Sequence, residues 1–391
     1  MAVSFAIIII LGLLANKLFT KLKLPGLLGM LIVGILLGPY AFDILNKEIL
    51  IISGDLRKIA LIVILLRAGL GVKKETLKKI GIPAIKLSFI PGIFEGFTLI
   101  FITMKIFNFS FEQAGILAFI ISAVSPAVVV PSMLSLIDKG KGEKKAIPTL
   151  ILAGASIDDV FAITIYSTFL GMYNAKNANI LKQLLNIPIS IALGISIGII
   201  IGFIMTYIFK HYHIRDTKKT LILLSTAIIF NSLEEPLEKI VPIATLLGVM
   251  TIGFILLEKY PNVANRLSSK LNKVWVLAEI ILFVLVGAEV NIFVAMDSGL
   301  IGILVITIGL IGRSIGVIIS LIGTNLNFKE RLFCIISYTP KATVQAAIGA
   351  VPLTMGVKGG ELILAIAVLS IIITAPLGAI GIKFAGERYL E

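Results

Sequence analysis

The sequence predicts an all-α polytopic membrane protein of about 13 transmembrane helices, with inverted repeats and two crossed discontinuous helices. Three observations carry that prediction. Of 391 residues, 58% are hydrophobic and only 15% charged, with a mean hydropathy of +1.06, a balance foreign to soluble domains. Apolar runs long enough to cross a bilayer recur along the chain, separated by short loops. Two of these runs are broken by proline beside small polar residues, at corresponding places in the two halves.

The expected spans cover roughly 3–20, 25–44, 56–72, 83–104, 113–135, 146–172, 186–209, 219–233, 239–257, 273–291, 299–323, 331–352 and 361–384. The first has no basic leader and no small-residue cleavage site, so it reads as a retained span rather than a signal peptide. The second carries Gly26, Gly29, Gly34 and Gly38, small residues suited to close helix contact. Arg67 in the third and Lys86 in the fourth lie near helix ends and read as snorkelling side chains. Glu95 sits in the middle of the fourth, within Pro91–Gly96, where a gate and a structural ion pair are both open readings.

The fifth span contains Ser122-Ala123-Val124-Ser125-Pro126-Ala127-Val128-Val129-Val130-Pro131-Ser132. Pro126 and Pro131 each lack the amide hydrogen that would bond the carbonyl four residues back, so two carbonyls are expected to be released there. Those carbonyls and the Ser125 hydroxyl suit an alkali cation. The sixth holds Gly154-Ala155-Ser156-Ile157-Asp158-Asp159. An aspartate at the bilayer centre costs about 2.5–3.5 kcal/mol on insertion scales, which makes the pair functional by default. Adjacent helical residues point about 100° apart, so Asp158 and Asp159 have separate roles. A buried carboxylate takes either a proton or a small hard cation such as sodium, with the Ser156 hydroxyl close by. That competition is the minimal chemistry of cation/proton exchange.

Gly194, Gly198 and Gly202 in the seventh span make a flat face, open to packing within the chain or between copies. The eighth and ninth flank an acidic loop with Glu234, Glu235 and Glu238. The tenth carries Glu279 and ends in Gly287-Ala288-Glu289-Val290; the eleventh holds Arg313, which is always charged and requires an anion, with Asp158 and Glu289 as candidates. The twelfth contains Ser337-Tyr338-Thr339-Pro340-Lys341-Ala342-Thr343-Val344-Gln345, where a proline, a deep lysine and polar side chains including Thr343 and Gln345 coincide. Lys341 is placed to complement a half-helix end or to counter an aspartate. Two breaks at matching positions imply a crossed pair around one cavity. The thirteenth span closes the membrane unit.

Charge follows topology. The formal net charge of +13 comes from lysines and arginines in alternate loops, among them Lys21, Lys23, Lys73, Lys74, Lys78, Lys79, Lys139, Lys141, Lys144 and Lys145. This reads as a positive-inside bias rather than nucleic-acid binding, with the N-terminus outside, the C-terminus cytoplasmic and the cell membrane as location. His211 and His213 read as interfacial. The single cysteine, Cys334, excludes an intrachain disulfide and any cysteine metal cluster. No cofactor and no enzymatic activity are expected. Residues 1–391 form one membrane unit, with spans 1–6 (3–172) and 8–13 (219–384) as repeats, span 7 (186–209) as connector, and a core including 83–172 and 299–384.

The paired aspartates, the Val124–Ser132 break, Gly287-Ala288-Glu289-Val290 and Pro340–Gly349 together resemble the monovalent cation:proton antiporters, most closely the Nha-type sodium/proton antiporters and the branch with the animal NHA exchangers. The resemblance implies a homodimer, each protomer having a scaffold and a mobile core that carries the ion like an elevator. It implies that Asp159 is the main ion and proton carrier and Asp158 its partner, with an ion pair between Glu289 and Arg313 and with Lys341 at the crossing. Val124 and Ser125 stand where many relatives have Thr-Asp, and Arg313 stands where several electrogenic relatives have lysine, which leaves stoichiometry open. The expected function is sodium or lithium exchange for protons by alternating access. Potassium/proton exchange and a sodium-coupled organic-anion symporter of related fold are the alternatives.

Overall fold

The computed structural model describes residues 1–22, 24–71, 81–174, 180–234, 243–297 and 299–391. Lys23, Lys73, Lys74, Lys78, Lys79, Glu235 and Glu238 lie outside the described residues, as does the side chain of Ser156. In chain order the helices are α1 (Ala2–Lys21), α2 (Gly26–Leu37), α3 (Lys47–Ile51), α4 (Ser53–Gly71), α5 (Ile82–Phe107), α6 (Phe111–Ile121), α7 (Pro126–Asp138), α8 (Ile147–Asn174) and α9 (Ile180–His211). They continue as α10 (Asp216–Ser232), α11 (Thr245–Lys259), α12 (Pro261–Ala288), α13 (Ile292–Asp297), α14 (Gly299–Ser320), α15 (Phe328–Ser337), α16 (Thr343–Ile348), α17 (Val351–Thr354) and α18 (Gly360–Tyr389). Every regular element among the described residues is helical, and eight segments among them, one being the broken α6–α7 run, are long and apolar enough to cross a membrane.

Some boundaries depart from the sequence expectation. The second span stops at Leu37 rather than running to residue 44, because Gly38-Pro39 follows and α3 begins only at Lys47. In the tenth, α12 starts at Pro261, well before residue 273. Its polar first half still buries Val263, Ala264, Leu267 and Leu271 at helical spacing. A hydropathy threshold sees only the lipid-spanning half of such a helix.

Both expected interruptions are present. The fifth span divides into α6 and α7 around Ser122–Ser125, and the twelfth into α15 and α16 around Tyr338–Ala342. Pro126 is the first residue of α7, and Ser125 before it takes φ −87° and ψ 111°, the extended conformation that a following proline favours. Pro131 lies inside α7, which continues through it. Loss of one backbone bond near a helix start is absorbed, and Ser132 Oγ donates to the Val128 carbonyl at 2.8 Å nearby.

The half-helices that lead into the breaks start alike. At α6, Ser110 Oγ accepts from Gln113 N (3.3 Å) while Gln113 Oε1 accepts from Ser110 N (2.9 Å). At α15, Asn327 Oδ1 accepts from Glu330 N (2.9 Å) while Glu330 Oε2 accepts from Asn327 N (2.7 Å). Each is a capping box that satisfies orphan amides at a helix start.

The described chain divides into two units. The first comprises Met1–Arg57, Ile80–Tyr173 and Ile280–Glu391 and holds both breaks. Within it α14 lies tightly along α5: a Cβ at Gly316 would stand 2.6 Å from Pro91 Cα, and one at Gly312 2.5 Å from Thr98 Oγ1. This close approach brings Arg313 of α14 to the level of Glu95 of α5.

The second unit comprises Lys58–Lys79 and Asn174–Glu279. The glycine face of α9 packs within the chain, Gly194 against the Ala244 carbonyl and Gly198 against that of Gly248 on α11. Arg67 lies over the Trp275 ring at 5.5 Å, and His211 at the end of α9 lies against Tyr207 with ring centroids 4.2 Å apart. At the exposed start of α10, the Arg266 guanidinium bonded to Asp216 at 2.7 Å holds that carboxyl below its ordinary range.

Candidate ion site

Each break frees backbone groups that must be satisfied away from water. The two breaks satisfy each other: Ser125 N donates to the Pro340 carbonyl at 2.7 Å. Gln345, in the first turn of α16, directs its amide nitrogen at the orphan carbonyls of α6, reaching Ile120 O (2.9 Å), Ile121 O (3.2 Å) and Ala123 O (3.0 Å). Lys341 N donates to Thr374 Oγ1 of α18 at 2.8 Å. The crossing is therefore held by backbone, an amide side chain and a flanking helix.

Five charged side chains surround this crossing, all buried. Arg313 extends Nη2 to Asp158 Oδ2 (2.7 Å) and Nη1 to Glu95 Oε2 (2.7 Å), and also donates to the Ser122 carbonyl. Lys341 Nζ reaches the same Glu95 oxygen at 2.7 Å. Asp158 Oδ2 further accepts from Val124 N at 2.8 Å, so α8 is fastened directly to the α6–α7 break.

Asp159 differs from its neighbour. It has no hydrogen bond or ion pair among the described residues, and its Oδ1 is buried without a partner. Asp158 Oδ1, Ser122 Oγ, Ser125 Oγ, Thr343 Oγ1 and Gln345 Oε1 are likewise buried and unpartnered. A buried polar atom left unpaired costs about 1–3 kcal/mol, so the free oxygens concentrated at this crossing mark it as the candidate place for a ligand. Oxygen donors are what a small hard cation prefers.

Arg313 and Lys341 contribute two positive charges; Glu95, Asp158 and Asp159 contribute three negative ones when ionised. The difference is one negative charge, on the group without a partner. One proton or one monovalent cation balances the cluster.

Several sequence expectations find different partners. Glu289 does not pair with Arg313: both its oxygens accept from Arg57 Nη2 at 3.0 Å, and Ser53 Oγ donates to Oε1 at 2.6 Å. Arg57, near the start of α4, is buried. A guanidinium in that position needs a carboxylate of similar depth, which Glu289, just past the end of α12, supplies. Arg313, deeper, takes Glu95 and Asp158 instead. Lys341 meets Glu95 rather than an aspartate or a half-helix end, because Glu95 stands between the two cations. Glu95 has the environment of a structural ion pair. Ser53, Arg57 and Thr374 escaped the sequence reading, since isolated hydroxyls and helix-end cations carry no distinguishing pattern.

A profile described as sodium/hydrogen exchanger, transmembrane, matches residues 5–387. Sodium/hydrogen exchanger 9B2 of Homo sapiens is 33% identical over 410 residues, covering 98% of this chain and 72% of that protein. Sodium/hydrogen exchanger 9B1 of Homo sapiens is 30% identical over 386 residues, covering 94% and 73%. The fold is that of the sodium proton antiporter MjNhaP1 from Methanocaldococcus jannaschii, with TM-score 0.84 at 19% identity over 98% of this chain and 97% of that one. The chain belongs to the transmembrane sodium/hydrogen exchanger family.

Proposed function

We propose that this protein exchanges sodium, and the smaller lithium, for protons by alternating access, with Asp159 as the shared carrier and Asp158 as its supporting carboxylate. One observation carries the reading: among the described residues Asp159 is the carboxylate of the cluster without a partner, and its charge leaves the cluster short of one positive charge. A proton or a sodium ion supplies that charge, and both cannot occupy the same oxygens. Exclusive occupancy couples the fluxes, because the loaded site crosses the membrane with one or the other. The same charge count favours one cation per proton.

The membrane arrangement belongs to the same reading. A chain of about 13 spans with two inverted repeats, joined by the seventh, would place the two breaks at equivalent positions. The paired capping boxes at Ser110 and Asn327 support that equivalence. A homodimer with a scaffold and a moving core, an external N-terminus and a cytoplasmic C-terminus complete the proposal.

Purified protein in proteoliposomes carrying a pH gradient tests it. Sodium and lithium are expected to collapse the gradient, and Asp159→Asn, folded and inserted, is expected to abolish the response. Retained sodium-dependent proton flux in Asp159→Asn would remove Asp159 from the role. A gradient that responds to potassium instead would move selectivity to that ion.

A further inference from the structure

Tyr338 is the largest side chain at the crossing without an assigned task. It lies in the break after α15, fully buried, with its ring beneath the Arg313 guanidinium at 5.3 Å and its hydroxyl without a partner. That hydroxyl sits against α8 at Gly154, in space a Cβ would fill. Gly154 and Asp158 are four residues apart, on one face of the helix. Helical side chains lean toward the helix N-terminus, so the Asp158 carboxylate lies over the turn where the phenol ends.

Two unpaired atoms thus lie within one turn of α8: the Tyr338 hydroxyl, a donor, at Gly154, and Asp158 Oδ1, an acceptor, which stands 3.4 Å from where a Cβ at Gly92 of α5 would be. Arg313 and Val124 N hold only Oδ2. The proposed function rests on a carboxylate pair that must keep its shape when a cation arrives at Asp159, and nothing described fixes Oδ1. Glycine at 154 is what admits the phenol to this position.

We propose that Tyr338 is a positioning residue for the ion site: in the cation-loaded state its hydroxyl donates to Asp158 Oδ1 and fixes the carboxylate that supports the ion at Asp159. This inference presupposes the exchange function above. The phenol acts through Asp158 and does not itself carry the ion. It strengthens binding of the cation without taking part in the movement of the core.

The test is sodium-dependent proton flux in proteoliposomes for wild type, Tyr338→Phe and Gly154→Ala. Tyr338→Phe keeps the ring under Arg313 and removes only the donor. It is expected to raise the sodium KM about tenfold, the scale of one hydrogen bond to a charged group, with kcat within about twofold of wild type. Gly154→Ala leaves the phenol intact but displaces it, and is expected to raise KM in the same direction. Wild-type KM in Tyr338→Phe, or a loss confined to kcat, overturns the role. Should Tyr338→Phe fail to fold, Gly154→Ala decides alone, an unchanged KM overturning the proposal. Absence of sodium-coupled flux in wild type itself overturns the exchange reading together with this one, so the two failures are told apart.

Discussion

Ser125 N donates to the Pro340 carbonyl at 2.7 Å, so the two broken helices are joined at the residues where each leaves helical geometry. Each break exposes backbone groups that the other covers, and neither is stable in a membrane alone. The proposed ion site is built on that mutual dependence, since Val124 N beside Ser125 holds Asp158 and Lys341 beside Pro340 holds Glu95.

Gln345 secures the crossing through three carbonyls of the α6–α7 segment. Gln345→Leu keeps the volume and removes the donor. A loss of about 1–3 kcal/mol is expected from the carbonyls left unpaired, read as a lower unfolding temperature in detergent and reduced exchange. A wild-type unfolding temperature would show that the amide is dispensable.

Glu95 neutralises Lys341 while sharing Arg313 with Asp158. Lys341→Met and Glu95→Gln each leave a buried charge uncompensated, at a cost of about 3–5 kcal/mol. The double variant keeps the cluster's net charge and is expected to recover more than half of that loss, with measurable exchange. Additive destabilisation in the double-mutant cycle would contradict the pairing.

Glu289 belongs to Arg57. Glu289→Gln strands the Arg57 guanidinium and is expected to destabilise the protein; adding Arg57→Met restores stability, whereas adding Arg313→Met does not. Rescue by Arg313→Met instead would reinstate the Glu289–Arg313 pair that the family resemblance implies.

On the proposed reading, proton and sodium compete for the Asp159 oxygens, which sets the sign of the pH response. In the acid range the proton occupies the site, so the apparent sodium KM is expected to rise by up to about tenfold per unit fall in pH and to level off in alkali. Flux at saturating sodium and varied pH measures it. A KM independent of pH would mean separate sites for the two ions.

Much of this architecture was legible because membrane burial makes polar residues conspicuous. Asp158, Asp159, Glu95, Arg313 and Lys341 stood out as charges in apolar runs, and Pro126 and Pro340 marked the breaks. Pairing was less legible, because it depends on depth and on which helices approach: the close seam of Gly312 and Gly316 along α5 puts Arg313 beside Glu95, and no hydropathy profile contains that. Pro131 shows the converse limit, since proline chemistry alone does not say whether a helix continues. The capping sequences Ser110-Phe111-Glu112-Gln113 and Asn327-Phe328-Lys329-Glu330 were readable signals for the starts of α6 and α15.

The central claim is that one carboxylate exchanges a proton for a sodium ion. Sodium added to purified protein in weakly buffered detergent solution, with a pH electrode or indicator dye as readout, addresses it without a membrane or a gradient. The account predicts stoichiometric proton release by wild type at a pH where the site is protonated, and none from Asp159→Asn. Sodium binding without proton release, or equal release from Asp159→Asn, would contradict it.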